Sequence, residues 1–348
     1  MKLIKTEDAV GQVLCHDITQ IIKGVTKDAV FRKGHIITPE DVPVLLSVGK
    51  DNIYVWEKDE NMLHEDEAAD ILRSICQSGN MHATEPKEGK IELIADSDGL
   101  LLIDLERLRA INALGDMMIA TRPSGFMVKK GDKLCGTRVI PLVIAKERME
   151  QAKKLAGSEP IIRLVPVRPR KYGLVTTGNE VFYGRIQDTF TPVVEAKLAE
   201  FGCEMAEHVV LNDDHEKITA AIKKMLDDGC EMVFCSGGMS VDPDDKTPLA
   251  IKNTGAKIVS YGAPVLPGAM FLVSYYPDGR PICGLPGCVM YAKRTIFDLV
   301  LPYLVTDTPI RAQDRLYAHF RNRPLQSAVQ VLHASSSGVC QPLRCAAV

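Results

Sequence analysis

The sequence predicts a two-part α/β protein. An α+β N-terminal region of short strands and helices covers residues 1–168, and a three-layer domain covers 169–305, with a mostly parallel sheet and helices on both faces. Three observations predict it. From Tyr172 onward, apolar runs of strand length alternate with segments whose apolar residues recur at helical spacing. Upstream of that point the strands are shorter and turns, more often than helices, separate them. The length, 348 residues, fits about two domains with connecting material.

In the N-terminal region, Thr38-Pro39-Glu40-Asp41 reads as a helix start: Thr38 caps, Pro39 takes the first helical position, and the acids meet the positive end of the dipole. This helix is expected to turn Val42, Leu45 and Leu46 inward and to stop at Gly49, ahead of a strand over 52–56. A second helix is expected over 65–77, ending before Gly79. Between 90 and 141 come short strands with turns at Asp98-Gly99, Pro123-Ser124-Gly125 and Gly131-Asp132, interrupted by a helix over 105–114. A helix over 145–155 leads to Pro166-Val167-Arg168-Pro169-Arg170, which marks a boundary. His16 beside Asp17 reads as structural, because neighbours on a strand point to opposite faces. His35, after Gly34 in a turn, reads as a surface or capping residue.

In the second part, strands are expected over 172–176, 203–211, 231–235, 257–261, 270–275 and 281–284. Helices are expected over 188–201, 213–227, 247–253 and 289–301. Open parallel sheets bind ligands beyond the carboxyl ends of their strands, so functional residues are expected in the loops after Thr176, Leu211, Cys235 and Gly284. Residues 306–348 are expected to form an irregular tail. From Ile310 it holds five Arg and one Asp, no Lys or Glu, a Ser-Ser-Ser run and no periodicity, which points to disorder or to a sequence not selected to fold with the rest.

Composition narrows the function. With 42 Lys+Arg against 45 Asp+Glu and a formal charge of −3, the chain lacks the basic excess that drives binding to nucleic acid by counterion release. At 46% hydrophobic residues, wholesale disorder is excluded. No apolar run nears the ~18 residues of a membrane helix, and acids occupy Glu7 and Asp8 where a signal peptide would be apolar. A cytoplasmic protein with no membrane partner is expected. The ten cysteines include no Cys-x-x-Cys pair, the usual mark of a zinc or redox site. Cys203, Cys230, Cys235 and Cys283 lie in or beside apolar runs and read as buried, reduced thiols.

Four strand-end loops share one character. They are Thr176-Thr177-Gly178-Asn179-Glu180 with Gly184-Arg185-Ile186-Gln187-Asp188-Thr189, then Asn212-Asp213-Asp214, then the run from Ser236-Gly237-Gly238-Met239-Ser240 to Asp242, Asp244 and Asp245, and last Leu266-Pro267-Gly268 with Gly284-Leu285-Pro286-Gly287. Glycine lets main-chain N–H groups approach an anion, and Thr177, Ser236 and Ser240 supply hydroxyl donors, so such loops suit a phosphate. Carboxylates there must hold a metal, bind donors on the rest of the ligand, or act as a base. Singly, each loop has an ordinary reading as a tight turn or a solvated helix cap. Their combination in order at one sheet edge is what is specific.

Over about 171–305 the sequence resembles the molybdopterin-binding domain of molybdenum cofactor biosynthesis proteins. The matching segments are Thr177-Gly178-Asn179-Glu180, Gly184 to Thr189, Gly237-Gly238-Met239-Ser240 with Asp245, Pro267-Gly268, and Gly284-Leu285-Pro286-Gly287. The resemblance implies the molybdopterin-binding fold and a ligand made of a pterin, a dithiolene and a terminal phosphate, sometimes adenylylated. It implies that Gly237, Gly238 and Ser240 hold phosphate while Pro267, Gly268, Pro286 and Gly287 shape the pocket. Thr177, Gly178, Asn179, Thr189, Asp213 and Ser236 complete the binding loops. Glu180, Asp188 and Asp245 would serve the pterin or the chemistry, with Mg²⁺ and molybdate as partners and Asp244 and Asp245 as metal ligands.

Departures from the family pattern bear on activity. Asn179 replaces an acid, Phe190 an Asn, Asp242 a Gly, and Cys288-Val289 the Asn-Pro after Gly287. Leu266 and Ala269 stand where the family has two lysines, so anion affinity falls unless Arg185 or Lys246 substitutes. The stretch 8–18 and Phe31 to Ile37 resemble the molybdopterin molybdotransferases, whose Met-Asp-Gly-Tyr-Ala segment is absent here. The resemblance therefore implies a molybdotransferase-like enzyme promoting Mg²⁺-dependent molybdate insertion, or a non-catalytic molybdopterin carrier or maturation factor for a molybdenum or tungsten enzyme. A nucleotide pyrophosphate hydrolase ranks last. Self-association, and contact with a molybdoenzyme or another cofactor-biosynthesis protein, are further implications.

Overall fold

The computed structural model describes residues 2–22, 26–55, 61–240, 242, 245–263 and 265–311. The chain divides into two compact units that meet in sequence between Leu164 and Val165. The first is built from small sheets. A four-stranded one runs Met81–Ala83, Lys90–Ala95, Lys133–Val139, Met117–Thr121, and a three-stranded one runs Phe126–Val128, Gly99–Ile103, Ile162–Pro166. Helices Glu65–Cys76, Leu105–Asn112 and Lys146–Ala156 contribute Leu72, Ile111 and Met149 to the same core as Leu93 and Leu134. A second cluster gathers Leu14, Ile18, Ile37, Leu45 and Ile53.

The helix starts of this unit show how local chemistry sets boundaries. His64 accepts from Asp66 N while Glu67 Oε2 accepts from His64 N at 2.9 Å, a capping box that fixes the start at Glu65. The helix expected from Thr38 begins instead at Asp41 and ends at Ser47. Asp41 Oδ2 reaches back to Thr38 N at 2.8 Å and to His35 Nε2 at 2.6 Å, so His35 braces this turn. In so short a helix Leu45 is buried, while Leu46, expected inside, is exposed. The strand after it is Asn52–Val55, and Trp56 lies outside the described residues.

The second unit alternates strands and helices: β1 (Lys171–Thr177), α1 (Asn179–Phe182), α2 (Thr191–Ala199), β2 (Glu204–Leu211), α3 (His215–Asp227), β3 (Met232–Ser236), α4 (Thr247–Asn253), β4 (Lys257–Tyr261), β5 (Leu272–Tyr275), β6 (Pro281–Leu285) and α5 (Ile296–Leu304). The sheet order is β2-β1-β3-β6-β5-β4. β1 is parallel to β2 and β3, and β3 to β6, whereas β5 is antiparallel to both neighbours. Both faces of the sheet are buried, which is why its central strands read as unbroken apolar runs. Met232 and Phe234 point to a core completed by Leu198 of α2 and Phe297 and Leu301 of α5. Val233 and Cys235 point to another completed by Ile222 and Met225 of α3 and Ile251 of α4. Helix α3 approaches so closely that a Cβ on Gly173 would lie 2.5 Å from Met225 Sδ.

Residues 306–311, assigned to the tail on sequence, pack on this unit. Thr306 and Ile310 are buried and Ile310 N donates to the Tyr275 hydroxyl at 2.8 Å. So short a stretch carries no periodicity by which to recognise it. The rest of the expected tail, 312–348, lies outside the described residues. The described cysteines are all free and all but Cys288 are buried. Among the described residues no helix is long and apolar enough to cross a membrane.

Candidate functional site

Strand register brings the loops together. Thr176 lies opposite Ser236, Ser236 opposite Leu285, and Thr177 opposite Leu211. The chain therefore leaves β1, β2, β3 and β6 side by side at one edge of the sheet, and the loops begin there.

The turn after β3 is shaped by main chain. Gly237 has φ +87° and Gly238 φ +55°, conformations that L side chains rarely adopt. A Cβ on Gly237 would lie 2.1 Å from Thr177 O, and one on Gly238 2.8 Å from Thr247 Oγ1. Thr247, at the start of α4, clamps the turn: its hydroxyl donates to Gly237 O at 2.9 Å and its N–H to Gly238 O at 3.3 Å. Ser236 is fully buried, and its Oγ meets no hydrogen-bond partner among the described residues. Downstream, Met239 sits on Gly284 of β6, where a Cβ would come within 2.4 Å of Met239 Cε. The Tyr261 hydroxyl donates to Met239 O at 3.1 Å and to Ser240 O at 3.3 Å. Burial, reinforced by the Asp245 charge, pushes this phenol up, so it stays a donor at neutral pH.

Carboxylates flank the first loop. Asn179 N donates to Asp213 Oδ2 at 3.1 Å, which ties the loop after β1 to the loop after β2. Asp214 caps α3 by accepting from Glu216 N and Lys217 N. Glu180 is exposed. Asp188 is engaged throughout: Oδ1 accepts from Phe190 N at 2.8 Å and Thr191 N at 3.1 Å, and Oδ2 from the hydroxyls of Thr191 at 2.5 Å and Thr176 at 3.2 Å. Burial pushes the Asp188 carboxyl up, but the hydrogen bonds from Thr191, Phe190 and Thr176 outweigh it and hold the group below the usual range. His208 Nε2 stands 3.0 Å from Thr176 Oγ1 and 3.1 Å from Thr191 Oγ1. Since both hydroxyls donate to the carboxylate, this geometry assigns the ring proton to Nε2.

The remaining loops pack against α5. Ile296 N donates to Pro267 O at 3.2 Å, and a Cβ on Gly268 would lie 2.5 Å from Ile296 Cγ2. Leu266, which precedes Pro267, is 79% exposed. Pro286 is buried, Gly287 faces open space, and the Thr189 hydroxyl reaches Met290 Sδ at 2.7 Å. Asp245 Oδ2 accepts from Asp242 N at 3.1 Å, and Asp244 lies outside the described residues. Among the described residues no group of three His, Cys, Asp or Glu converges to hold a metal ion.

Thr177, Gly178, Asn179, Asp213, Ser236, Gly237 and Gly238 thus meet at one edge, joined by register and by the bonds above. Ser240 and Asp245 follow in the same loop but are held mainly by Tyr261 and Asp242. Thr191, His208, Thr247 and Tyr261 were not singled out on sequence. Period-two alternation places His208 on a strand face, but nothing in the sequence reveals that Thr176 and Thr191 meet it.

Residues 173–306 match the family model described as "Probable molybdopterin binding domain", and residues 3–57 match a domain of unknown function (DUF8806). A CinA-like protein of Mycobacterium avium (strain 104) is 36% identical over 83 residues, or 24% of this chain and 19% of that protein. One of Mycobacterium tuberculosis (strain ATCC 25618 / H37Rv) is 36% identical over 75 residues, or 22% of this chain and 17% of that protein. The match thus spans less than a fifth of the length of these relatives. Among solved structures, the protein CinA of Thermoplasma acidophilum aligns at 18% identity over 39% of this chain and 99% of its own, with a TM-score of 0.33. The tungsten cofactor synthesizing protein MoaB of Pyrococcus furiosus aligns at 17% identity over 44% of this chain and 98% of its own, also at 0.33. With the family match lying on the strand-end loops themselves, residues 173–306 belong to the molybdopterin-binding domain family of molybdenum cofactor biosynthesis.

Proposed function

We propose that the strand-end loops bind molybdopterin, free or adenylylated, and promote Mg²⁺-dependent molybdate insertion. The observation that carries this reading is the turn at Gly237 and Gly238, part-exposed and without side chains, which lies at the strand ends inside the family match beside Thr177 and Thr247. Bare main chain of this kind fits a ligand that brings acceptor oxygens close to the backbone. Gly237, Gly238 and Ser240 would hold the terminal phosphate. Glu180 and Asp245 would accept from the N–H groups of the pterin, a role that suits accessible carboxylates. Asp188, whose oxygens are already filled by the chain's own donors, would position its loop. Asp245 with Asp244 would hold Mg²⁺, which would offset the charge of the phosphate.

A second reading, a carrier that binds without turnover, is favoured by two observations. Leu266 and Ala269 supply no cation near the pocket, and Arg185 rests on the Tyr183 ring at 5.3 Å. An anaerobic titration with molybdopterin, run beside Asp245→Asn and Ser240→Ala, tests the common part. Saturable binding weakened by both substitutions supports the site, and no binding at high micromolar ligand overturns it. Adenylate release from adenylylated molybdopterin with Mg²⁺ and molybdate, abolished in Asp245→Asn, supports insertion. Tight binding without release supports the carrier.

A further inference from the structure

In the first unit a tight hairpin turn rests against the start of a helix. Lys87 N and Lys90 N each donate to the other residue's carbonyl at 3.0 Å, which closes the turn around Glu88 and Gly89. Their φ angles are +52° and +68°. Glycine takes such a conformation freely and glutamate rarely does, so the turn depends on what grips it. The grip comes from the helix Glu65–Cys76 and the strand Lys133–Val139. Asp66 Oδ1 accepts from Gly89 N at 3.1 Å, and Gly89 O accepts from Val139 N at 2.9 Å. Glu65 packs on the same glycine: a Cβ there would lie 3.1 Å from Glu65 Cβ and 3.2 Å from Glu65 Oε2.

Glu65 is 8% exposed, and its carboxyl accepts no hydrogen bond among the described residues. The N–H groups at this helix start are directed elsewhere, Glu65 N to Leu142 O at 2.9 Å and Asp66 N to His64 Nδ1 at 3.3 Å. A carboxyl buried in this way, without donors, favours its neutral form. Asp66 on its own helix and Glu88 on the turn carry like charge and favour the same form. The opposing cations are weakly placed. Lys33 is shared between Asp66 at 3.2 Å and His64 Nδ1 at 2.9 Å, and Arg138, on the strand, is exposed to water. Burial pushes His64 down, so it adds no charge at neutral pH. Together, burial and the two acids push Glu65 up to about 7 against Arg138 and Lys33.

We propose that Glu65 is a proton-controlled catch on the turn over 87–90. Protonated, it stays buried against Gly89 and the turn is closed. Ionised, it draws water in, and the turn lifts from Asp66 and Val139 more often. Because the closed turn favours the protonated carboxyl, closure is strongest below the ordinary glutamate value of about 4.3 and weakens as pH rises towards 7, above which it changes no further. This inference does not depend on the molybdopterin site.

Hydrogen exchange of the full chain, read at single amides by NMR as protection factors, tests it. Protection of the Gly89 and Val139 N–H groups is expected to fall about fifty-fold between pH 5 and pH 7.5, since one linked proton contributes up to ten-fold per pH unit inside the window. Ile119 N–H, buried and donating to Asn112 Oδ1 at 2.8 Å, reports unfolding of the whole unit and should stay more protected than Gly89 throughout. Glu65→Gln keeps the neutral shape, so both amides should hold their low-pH protection at every pH. Glu88→Gln removes one like charge and should end the fall at a lower pH. Three results would overturn the proposal: protection in the parent that does not change with pH, the same fall in Glu65→Gln, or Gly89 exchanging in step with Ile119 at every pH, which would mean that only unfolding of the whole unit frees the turn.

Discussion

In each unit an acidic side chain stands largely out of solvent beside the start of a helix, and for Glu65 and Asp188 the carboxyl is shifted in opposite directions. In the first unit Glu65 is 8% exposed at the start of its helix, and burial with the charges of Asp66 and Glu88 pushes it up to about 7 against the opposing pull of Arg138 and Lys33. In the second unit Asp188, just before α2, is held below the usual carboxylate range, because hydrogen bonds from Thr191, Phe190 and Thr176 outweigh its burial. Burial alone therefore does not set the direction; short-range donors do. Glu65 has been given nearby charges, Asp188 has been given hydrogens.

The largest expected effect follows from that difference. Asp188→Ala strips acceptors from two main-chain N–H groups and two hydroxyls, and a urea melt should show a loss of about 3 kcal/mol. A loss below about 1 kcal/mol would mean that water replaces the carboxylate easily, and the contrast would collapse.

Glu65→Gln should act in the other direction. The folded pKa of Glu65, about 7, lies above its unfolded value of about 4.3, so folding favours the protonated form. Stability on this account is full below about pH 4.3 and is lost as pH rises towards 7. Glu65→Gln should be about 3 kcal/mol more stable than the parent at pH 8 and equal to it at pH 4. Equal stability at both pH values would remove the first unit from the comparison.

Asp188 should show the mirror profile. Its folded pKa is below the unfolded one, so its stabilisation is present above about pH 3.9 and is lost as pH falls through the folded value. Carboxyl NMR titration should find Asp188 still ionised at a pH where exposed aspartates are half protonated. The smallest effect is expected for Tyr261→Phe, about 1 kcal/mol from the lost bonds to Met239 and Ser240, with no pH dependence below neutrality.

Much of this was legible in the sequence because it depends on neighbours in the chain. Alternation of apolar runs located β1, β3 and α3, and the four glycine-bearing loops could be read as a set because parallel strands place their ends together. What escaped was set by tertiary contact. The helix expected from Thr38 starts three residues later, at Asp41, whose carboxylate reaches back to Thr38 N and to His35, a contact that the sequence does not show. Leu46 fits the helical spacing, yet nothing covers it within the short helix Asp41–Ser47. His208 and Tyr261 matter through residues 32 and 22 positions away, Thr176 and Met239. Ile310 looked like the start of a tail because a single apolar residue makes no pattern.

The Gly237–Gly238 turn also determines how this surface responds to mutational mapping. Side-chain removal, the usual way to locate a site, has nothing to delete where the contact surface is peptide. A scan that shortens each residue to alanine would lengthen these two instead, and the new Cβ atoms would collide with Thr177 O and Thr247 Oγ1, so a folding defect would mask any effect on binding. At the proposed site such a scan is blind at Gly237 and Gly238, so these two are better mapped by exchange protection of their amides or by backbone ester replacement.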